Sequence, residues 1–311
     1  MKTPLWIDGA RLGSVLTYAE AVTALADALA RPTATVGSPP RQSVDTEYGQ
    51  MLLMPDEIPP FAGVKVVTVA PGNPAVGLPR INGVYVLFDS VTLRPVALFD
   101  AAALTAVRTA AVSALAVDRL AVPAAVNLVV FGAGPQARAH VVALGAVRPL
   151  RRVTVVTRTA EKASVVVEEA RRVGMAASSA GAESVAKAVA TADIIACCTT
   201  AREPLFDSAG LAAEATVVAV GSHEPDAREL DTALVCRATL VVESRASAST
   251  AGDIVLAAAE SHRSGPDLVA GELTDLVGGR VGGQPGRPRV FKSVGEAWED
   301  LVVAAAVYLR V

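Results

Sequence analysis

The sequence predicts an α/β protein in two parts, a mixed α+β first third and a doubly wound parallel sheet behind it. Three observations carry this expectation. From Val126 onward, short and wholly apolar stretches alternate with helical ones, the pattern of strands covered on both faces by helices. Before Leu120, short strands are instead joined by turns, as in hairpins. Between them lies an Ala-rich stretch, Ala101–Leu120, of high helix propensity, and Pro123 behind it marks the junction.

Residues 18–30 place Ala21, Val22, Leu25, Ala28 and Leu29 on one helical face, and Pro32 stops that helix. Strands are expected over 49–54, 64–69, 83–88 and 95–99, the last two joined through the Asp89-Ser90 turn. Beyond Pro123 strands are expected over 126–131, 153–157, 193–198, 217–220 and 240–243, and at Val290-Phe291. Helices are expected over 136–145, 161–172 and 182–190. A Gly/Pro/Arg-rich loop fills 278–288. A closing helix then spans 294–309, with Ser293 and Glu296 spaced as a capping box.

The chain has 311 residues, enough for about two domains. With 28 Lys and Arg against 31 Asp and Glu, the formal charge is −3, which lacks the basic excess of a nucleic-acid binder. A content of 52% hydrophobic and 19% charged residues excludes wholesale disorder. The longest apolar run, 101–131, is broken by Arg108, Asp118, Arg119 and Pro123, so no membrane span is expected. Cys197, Cys198 and Cys236 have neither zinc spacing nor the number for a disulfide framework and read as inert core thiols. No metal site is expected. The N-terminal residues MKTPLWIDGARLG hold no signal-peptide core, so a cytoplasmic enzyme is the expectation.

The strongest local motif is Gly132-Ala133-Gly134-Pro135-Gln136-Ala137, which follows an apolar strand and opens a helix. Gly132 makes the tight turn, Gly134 lets backbone approach a pyrophosphate, and Ala137 lets helix and strand pack closely. The helix N-terminus offers free N–H groups to the anion. A dinucleotide is therefore expected here. At the tip of the next strand, Arg158-Thr159 stands where an NAD site usually places an acid. The guanidinium fork of Arg158 suits a 2′-phosphate, so NADP(H) is favoured and NAD(H) is the alternative.

Three cations of the first third interrupt apolar surroundings. Arg41 follows Ser38-Pro39-Pro40, Lys65 breaks the strand Gly63-Val64-Lys65-Val66-Val67, and Arg108 sits inside the Ala-rich helix beside Thr109, a small hydroxyl within reach of a cofactor. A buried charge needs a partner. A bound carboxylate would supply one, and side chains snorkelling at an interface would account for the same pattern.

Five ordered motifs give the chain a resemblance to the ornithine cyclodeaminase/μ-crystallin family. They are Gly63-Val64-Lys65, Leu104-Thr105-Ala106-Val107-Arg108-Thr109-Ala110-Ala111, the glycine loop, Gly221-Ser222-His223-Glu224-Pro225-Asp226-Ala227-Arg228-Glu229-Leu230, and Phe291-Lys292-Ser293-Val294-Gly295. The resemblance implies a substrate and dimerisation domain built from residues 1–120 and 294–311. A Rossmann domain, residues 121–293, would be inserted between them, and the protein would be a homodimer. It implies that Arg41, Lys65 and Arg108 hold a substrate carboxylate beside the nicotinamide, with Arg80 as a fourth candidate cation. Thr109, Thr199, Gly221, Ser222 and Lys292 join Gly132, Gly134, Pro135, Gln136, Ala137, Arg158 and Thr159 as expected cofactor contacts.

Cyclodeaminating members carry an Asp where this chain has His223, so the resemblance leans toward the branch that reduces cyclic imines such as 1-pyrroline-2-carboxylate. An ammonia-releasing cyclodeaminase, an amino-acid dehydrogenase and a non-catalytic NADPH-dependent binder are the other activities it implies. In the reductase, His223 is the expected proton carrier, and Lys65 acting through a water is its competitor. Asp226 is expected to cap the next helix or to orient His223. His140 and His262 read as structural or exposed.

Overall fold

The computed structural model describes residues 3–31 and 38–311. It divides into two compact units, Met1–Thr109 with Glu296–Val311, and Ala110–Gly295. The fold is α/β, with one mixed and one parallel sheet.

The first unit opens with β1 (Leu5–Ile7), α1 (Gly9–Val15) and α2 (Tyr18–Ala30). A capping box that the sequence reading passed over starts α2: the Glu20 N–H donates to Thr17 Oγ1 and the Thr17 N–H donates to Glu20 Oε2. Pro32, expected to stop this helix, lies outside the described residues. The strands β2 (Gln42–Thr46), β3 (Gly49–Ile58), β4 (Phe61–Val69), β5 (Ile81–Asp89) and β6 (Pro95–Asp100) follow. They form a six-stranded sheet of order β1-β6-β5-β4-β3-β2, antiparallel except for β1 beside β6. Side chains alternate across a strand, and β4 buries Phe61, Gly63, Lys65 and Val67 on one face. Tyr85 and Leu87 of β5 and Ala97 and Phe99 of β6 extend that apolar face. The closing helix of the chain, Ala297–Tyr308, lies against β3, β4 and α2 and covers it.

Next comes α3 (Ala101–Leu120), whose first turn is capped by Asp100 accepting from the Ala102 and Ala103 N–H groups. The division between the two units falls inside this helix, between Thr109 and Ala110, rather than at Pro123. By length and composition α3 alone among the helices of the described residues is apolar enough to cross a bilayer; two further helices, α1 and α2, pass only as a bent pair. Of its most apolar stretch 67% is buried inside the protein, as in a core helix.

The second unit comprises β7 (Asn127–Phe131), α4 (Pro135–Val147), β8 (Arg152–Val156), α5 (Ala160–Arg172), β9 (Ala176–Ala180), α6 (Val185–Ala190), β10 (Ile194–Cys197) and β11 (Thr216–Ala219). It continues with α7 (Thr232–Arg237), β12 (Thr239–Val242), α8 (Arg245–Ala248), α9 (Gly252–Ser261), α10 (Gly265–Leu268), β13 (Val269–Glu272), α11 (Leu273–Val277) and β14 (Arg289–Lys292). The chain then ends in α12, the closing helix already described. The sheet is parallel throughout, in the order β13-β12-β14-β11-β10-β7-β8-β9. Its inner strands are buried along their length, which is why they read as unbroken apolar runs. The edge strand β9 has the sequence AASSA, with no β-branched residue and little burial, and so left no signal. Strand order reverses between β7 and β10, the switch point where such sheets bind ligands at their C-terminal ends.

One capping expectation is corrected. The Ser293–Glu296 box does not form, and α12 starts only at Ala297. Glu243 takes the Ser293 hydroxyl and the Val294 and Gly295 N–H groups, and Gly295 turns the chain with a φ of 83°. His140 is structural as expected: its ring nitrogens meet the Gln136 carbonyl and the Ser113 hydroxyl, and burial pushes it down to about 4. Burial raises the thiols of both Cys197, which is buried, and Cys198, which like Cys236 is half-buried.

Candidate active site

In the second unit the glycine turn sits at the switch point. Gly132 has a φ of 115°, and a Cβ there would lie 2.5 Å from the Cys198 carbonyl oxygen at the end of β10. Only glycine fits. Gly134 has nothing within 4 Å of its would-be Cβ, which leaves open space above the turn. It is the N-cap of the 13-residue α4, with Pro135 in the first turn and no side chain capping the helix. Ala137 is fully buried against the sheet. An uncapped helix start, a glycine turn and open space fit the pyrophosphate of a dinucleotide.

Other expected cofactor contacts are placed differently. The Thr199 N–H and hydroxyl both donate to Glu229, as does the Gly221 N–H. The Ser222 hydroxyl donates to the Ala227 carbonyl. Lys292 is buried, pairs with Asp253 at 2.8 Å and donates to the Ser222 carbonyl at 2.5 Å. These polar groups are bonded within the protein's own loops. Arg158 and Thr159 are exposed beyond β8, with Thr159 at the N-cap of α5. His223 is half-buried on the loop between β11 and α7. Asp226 is exposed and pairs with Arg202, and Asp231 is the residue that caps α7, which corrects the capping role expected of Asp226.

In the first unit Lys65 and Arg108 meet. Lys65 Nζ lies 2.7 Å from Asp300 Oδ2, and Arg108 Nε lies 3.2 Å from Asp300 Oδ1. Arg108 Nη1 reaches Glu299 Oε2 at 2.5 Å. Both acids are 0% exposed. The charge of Arg41, half-buried just before β2, is felt at Lys65. Burial, Arg108 and Arg41 together pull Lys65 down to about 8 against the opposing pull of Asp300. Thr109 is buried beside Arg108. Arg80 is not brought into this group. It precedes β5, where its carbonyl accepts from Ala70, five residues along β4 from Lys65 or roughly 16 Å at 3.3 Å per residue.

Sequence reasoning did not find Glu299 and Asp300. Their signal was two adjacent acids inside a helix that buries Trp298, Leu301, Val303 and Ala304. Glu229 had a similar signal, an acid between the buried Ala227 and Leu230.

A switch-point glycine turn over a parallel sheet, together with a cluster of buried cations, defines an NAD(P)-dependent oxidoreductase. The sequence profile described as the ornithine cyclodeaminase/mu-crystallin family matches residues 8–311, and the chain belongs to that family. Among its relatives, a Delta(1)-pyrroline-2-carboxylate reductase of Bacillus cereus is 37% identical over 256 residues, covering 80% of this chain and 77% of the relative. The reductase of the same name from Colwellia psychrerythraea is 33% identical over 302 residues, covering 94% of each. The Thermococcus litoralis Delta(1)-pyrroline-2-carboxylate reductase, solved with NADH and L-proline, superposes with a TM-score of 0.92 at 29% identity, covering 98% of this chain and 97% of that one.

Proposed function

We propose that this enzyme reduces small cyclic 2-carboxy-imines, 1-pyrroline-2-carboxylate or 1-piperideine-2-carboxylate, to proline or pipecolate, with NADPH preferred and NADH accepted. The observation that carries the reading is a buried meeting of cations: Lys65 and Arg108 share Asp300, and the charge of Arg41 is felt at Lys65. Clustered cations of this kind suit a substrate carboxylate. The names of the relatives support the same substrate class.

In this reading the first unit binds substrate and the second holds the dinucleotide. Arg41 and Arg108 grip the substrate carboxylate through their planar forks, and Lys65 adds a compact charge. Glu299 and Asp300 keep Arg108 and Lys65 in place before substrate arrives, so less ordering is left to binding. The turn Gly132–Gly134 and the start of α4 would hold the dinucleotide, which would supply the hydride for the C=N carbon. His223 delivers the proton to the ring nitrogen, since imidazoles titrate close to neutral pH. Lys65, drawn to about 8, is the second candidate for that proton. Arg158, exposed at the tip of β8, binds the 2′-phosphate.

The first unit's sheet exposes Trp6, Val44, Ile81 and Val84, and this supports a homodimer formed through that sheet. Three unpaired thiols suit the cytoplasm.

The test is loss of reduced-nicotinamide absorbance when purified protein meets NADPH or NADH and 1-pyrroline-2-carboxylate or its six-membered analogue. Arg108→Ala is expected to lower kcat/KM roughly 150-fold, the equivalent of a charge-assisted contact of about 3 kcal/mol. No oxidation with either imine, together with ammonia release from ornithine without net NADH, would replace the reading with a cyclodeaminase. Light scattering checks the dimer.

A further inference from the structure

A buried charged network that the reaction above does not use ties together the ends of β10, β11 and β14. Glu229 stands at its centre, 0% exposed. Its Oε1 accepts from the Thr199 N–H and the Thr199 hydroxyl, each at 2.8 Å, and its Oε2 accepts from the Gly221 N–H at 2.8 Å. Thr199 follows β10 and Gly221 follows β11, so one carboxylate spans the C-terminal ends of two neighbouring strands. The backbone repeats the tie, with the Leu205 N–H donating to the Glu229 carbonyl at 2.9 Å.

The network continues below. The Glu229 N–H donates to Asp253 Oδ1 at 2.7 Å, Asp253 Oδ2 pairs with Lys292 at 2.8 Å, and Lys292 donates to the Ser222 carbonyl at 2.5 Å. Outside, exposed Arg202 bridges Glu224 and Asp226 and joins the same two loops again. The fit allows no slack at Gly221, where a Cβ would lie 1.9 Å from the Thr199 carbonyl oxygen and 2.7 Å from Glu229 Oε1. An acid buried this deeply is retained only where fixed donors surround it. Burial itself pushes the Glu229 carboxyl up, with Asp253 adding to this, while Lys292 and the Thr199 donors hold it down.

We propose that Glu229 is a positioning residue for the cofactor crevice: its carboxylate sets the spacing of the loops after β10 and β11, and thereby the affinity for the dinucleotide, without touching it. This rests on the reading that the dinucleotide lies at the C-terminal edge of the parallel sheet. The Gln variant separates positioning from bulk. A glutamine has one acceptor oxygen, and keeping that oxygen on Thr199 turns its NH2 group toward the Gly221 N–H.

The experiment measures Kd for NADPH and NADH by nicotinamide fluorescence, and hydrogen exchange of the cofactor-free protein. Glu229→Gln is expected to raise both Kd values about tenfold or more, and Glu229→Asp, which keeps the charge but shortens the reach, about threefold. Exchange is expected to speed up in the peptide holding Gly221 and to stay unchanged in β7. Variants that fold and bind within about twofold of the parent overturn the proposal, as does a lowered Tm with unchanged Kd. Should the Gln variant not fold, the Asp variant decides on the same measurements. Failure of the unmodified protein to bind either dinucleotide overturns the cofactor reading instead.

Discussion

Asp300→Asn probes the first unit's charge cluster most directly. The substitution keeps the shape, removes the charge, and turns an NH2 group toward a cation. Asp300 is fully buried, 2.7 Å from Lys65 and 3.2 Å from Arg108. Removing one member of a buried ion pair costs about 3–5 kcal/mol. Glu299 still faces Arg108, so the lower end, about 3 kcal/mol, is expected here. Lys65 carries the pH signature. Burial first, then Arg108 and Arg41, draw it from 10.5 to about 8, and Asp300 is the charge that holds it up. Between about pH 8 and 10.5 the unfolded chain binds more protons than the folded one, so stability rises with pH across that window. Below pH 8 Lys65 is charged in both states and a cost of about 3 kcal/mol is present in full. Without Asp300 the folded-state titration of Lys65 falls further, and the rise begins at lower pH. The same shift is expected in catalysis, because a protonated Lys65 helps hold the carboxylate. The alkaline limb of kcat/KM, expected near 8, moves down by about one unit or more. Urea midpoints across pH and pH–rate profiles measure the two effects. A variant with the parent's urea midpoint and an unmoved alkaline limb would refute the assignment.

Two further outcomes follow from the second unit. Gly132→Ala forces a Cβ to 2.5 Å from the Cys198 carbonyl at a φ of 115°, so binding of both dinucleotides is expected to be lost, with a lower Tm; titration by nicotinamide fluorescence alongside a thermal melt checks it. Arg158→Ala is expected to narrow the ratio of NADPH to NADH efficiency about tenfold while leaving NADH kinetics near the parent's, and an unchanged ratio removes the 2′-phosphate role.

The glycine loop was legible because every requirement it meets is local: a strand before it, a helix after it, and two positions where a side chain would obstruct. The cations were legible for a related reason, since Lys65 and Arg108 each break an apolar period. What they pair with was not. Spacing left a bound carboxylate and side chains snorkelling at an interface both open, and the structure adds two internal partners, Glu299 and Asp300, from the last helix. The resemblance implies Thr199, Ser222 and Lys292 as cofactor contacts. The structure adds the internal partners of their polar atoms, Glu229, Ala227 and Asp253. A motif locates a loop, but the direction in which its donors point depends on which buried acid lies beneath it. Ser293 illustrates the same limit, having capping-box spacing with Glu296 yet bonding Glu243, 50 residues away in the chain.

By itself the sequence determined the longer helices, the inner strands and parallel character of the second sheet, and the glycine turn between its first strand and helix. These depend on periodicity and on residues within one turn of each other, where covalent geometry leaves few choices. Tertiary structure alone decided that Lys65 and Asp300, 235 residues apart, share one buried contact, and that Glu229 clasps the ends of two strands. The physical reason is desolvation: a charge taken out of water must find its partner wherever the fold brings one, and separation along the chain carries no record of that choice.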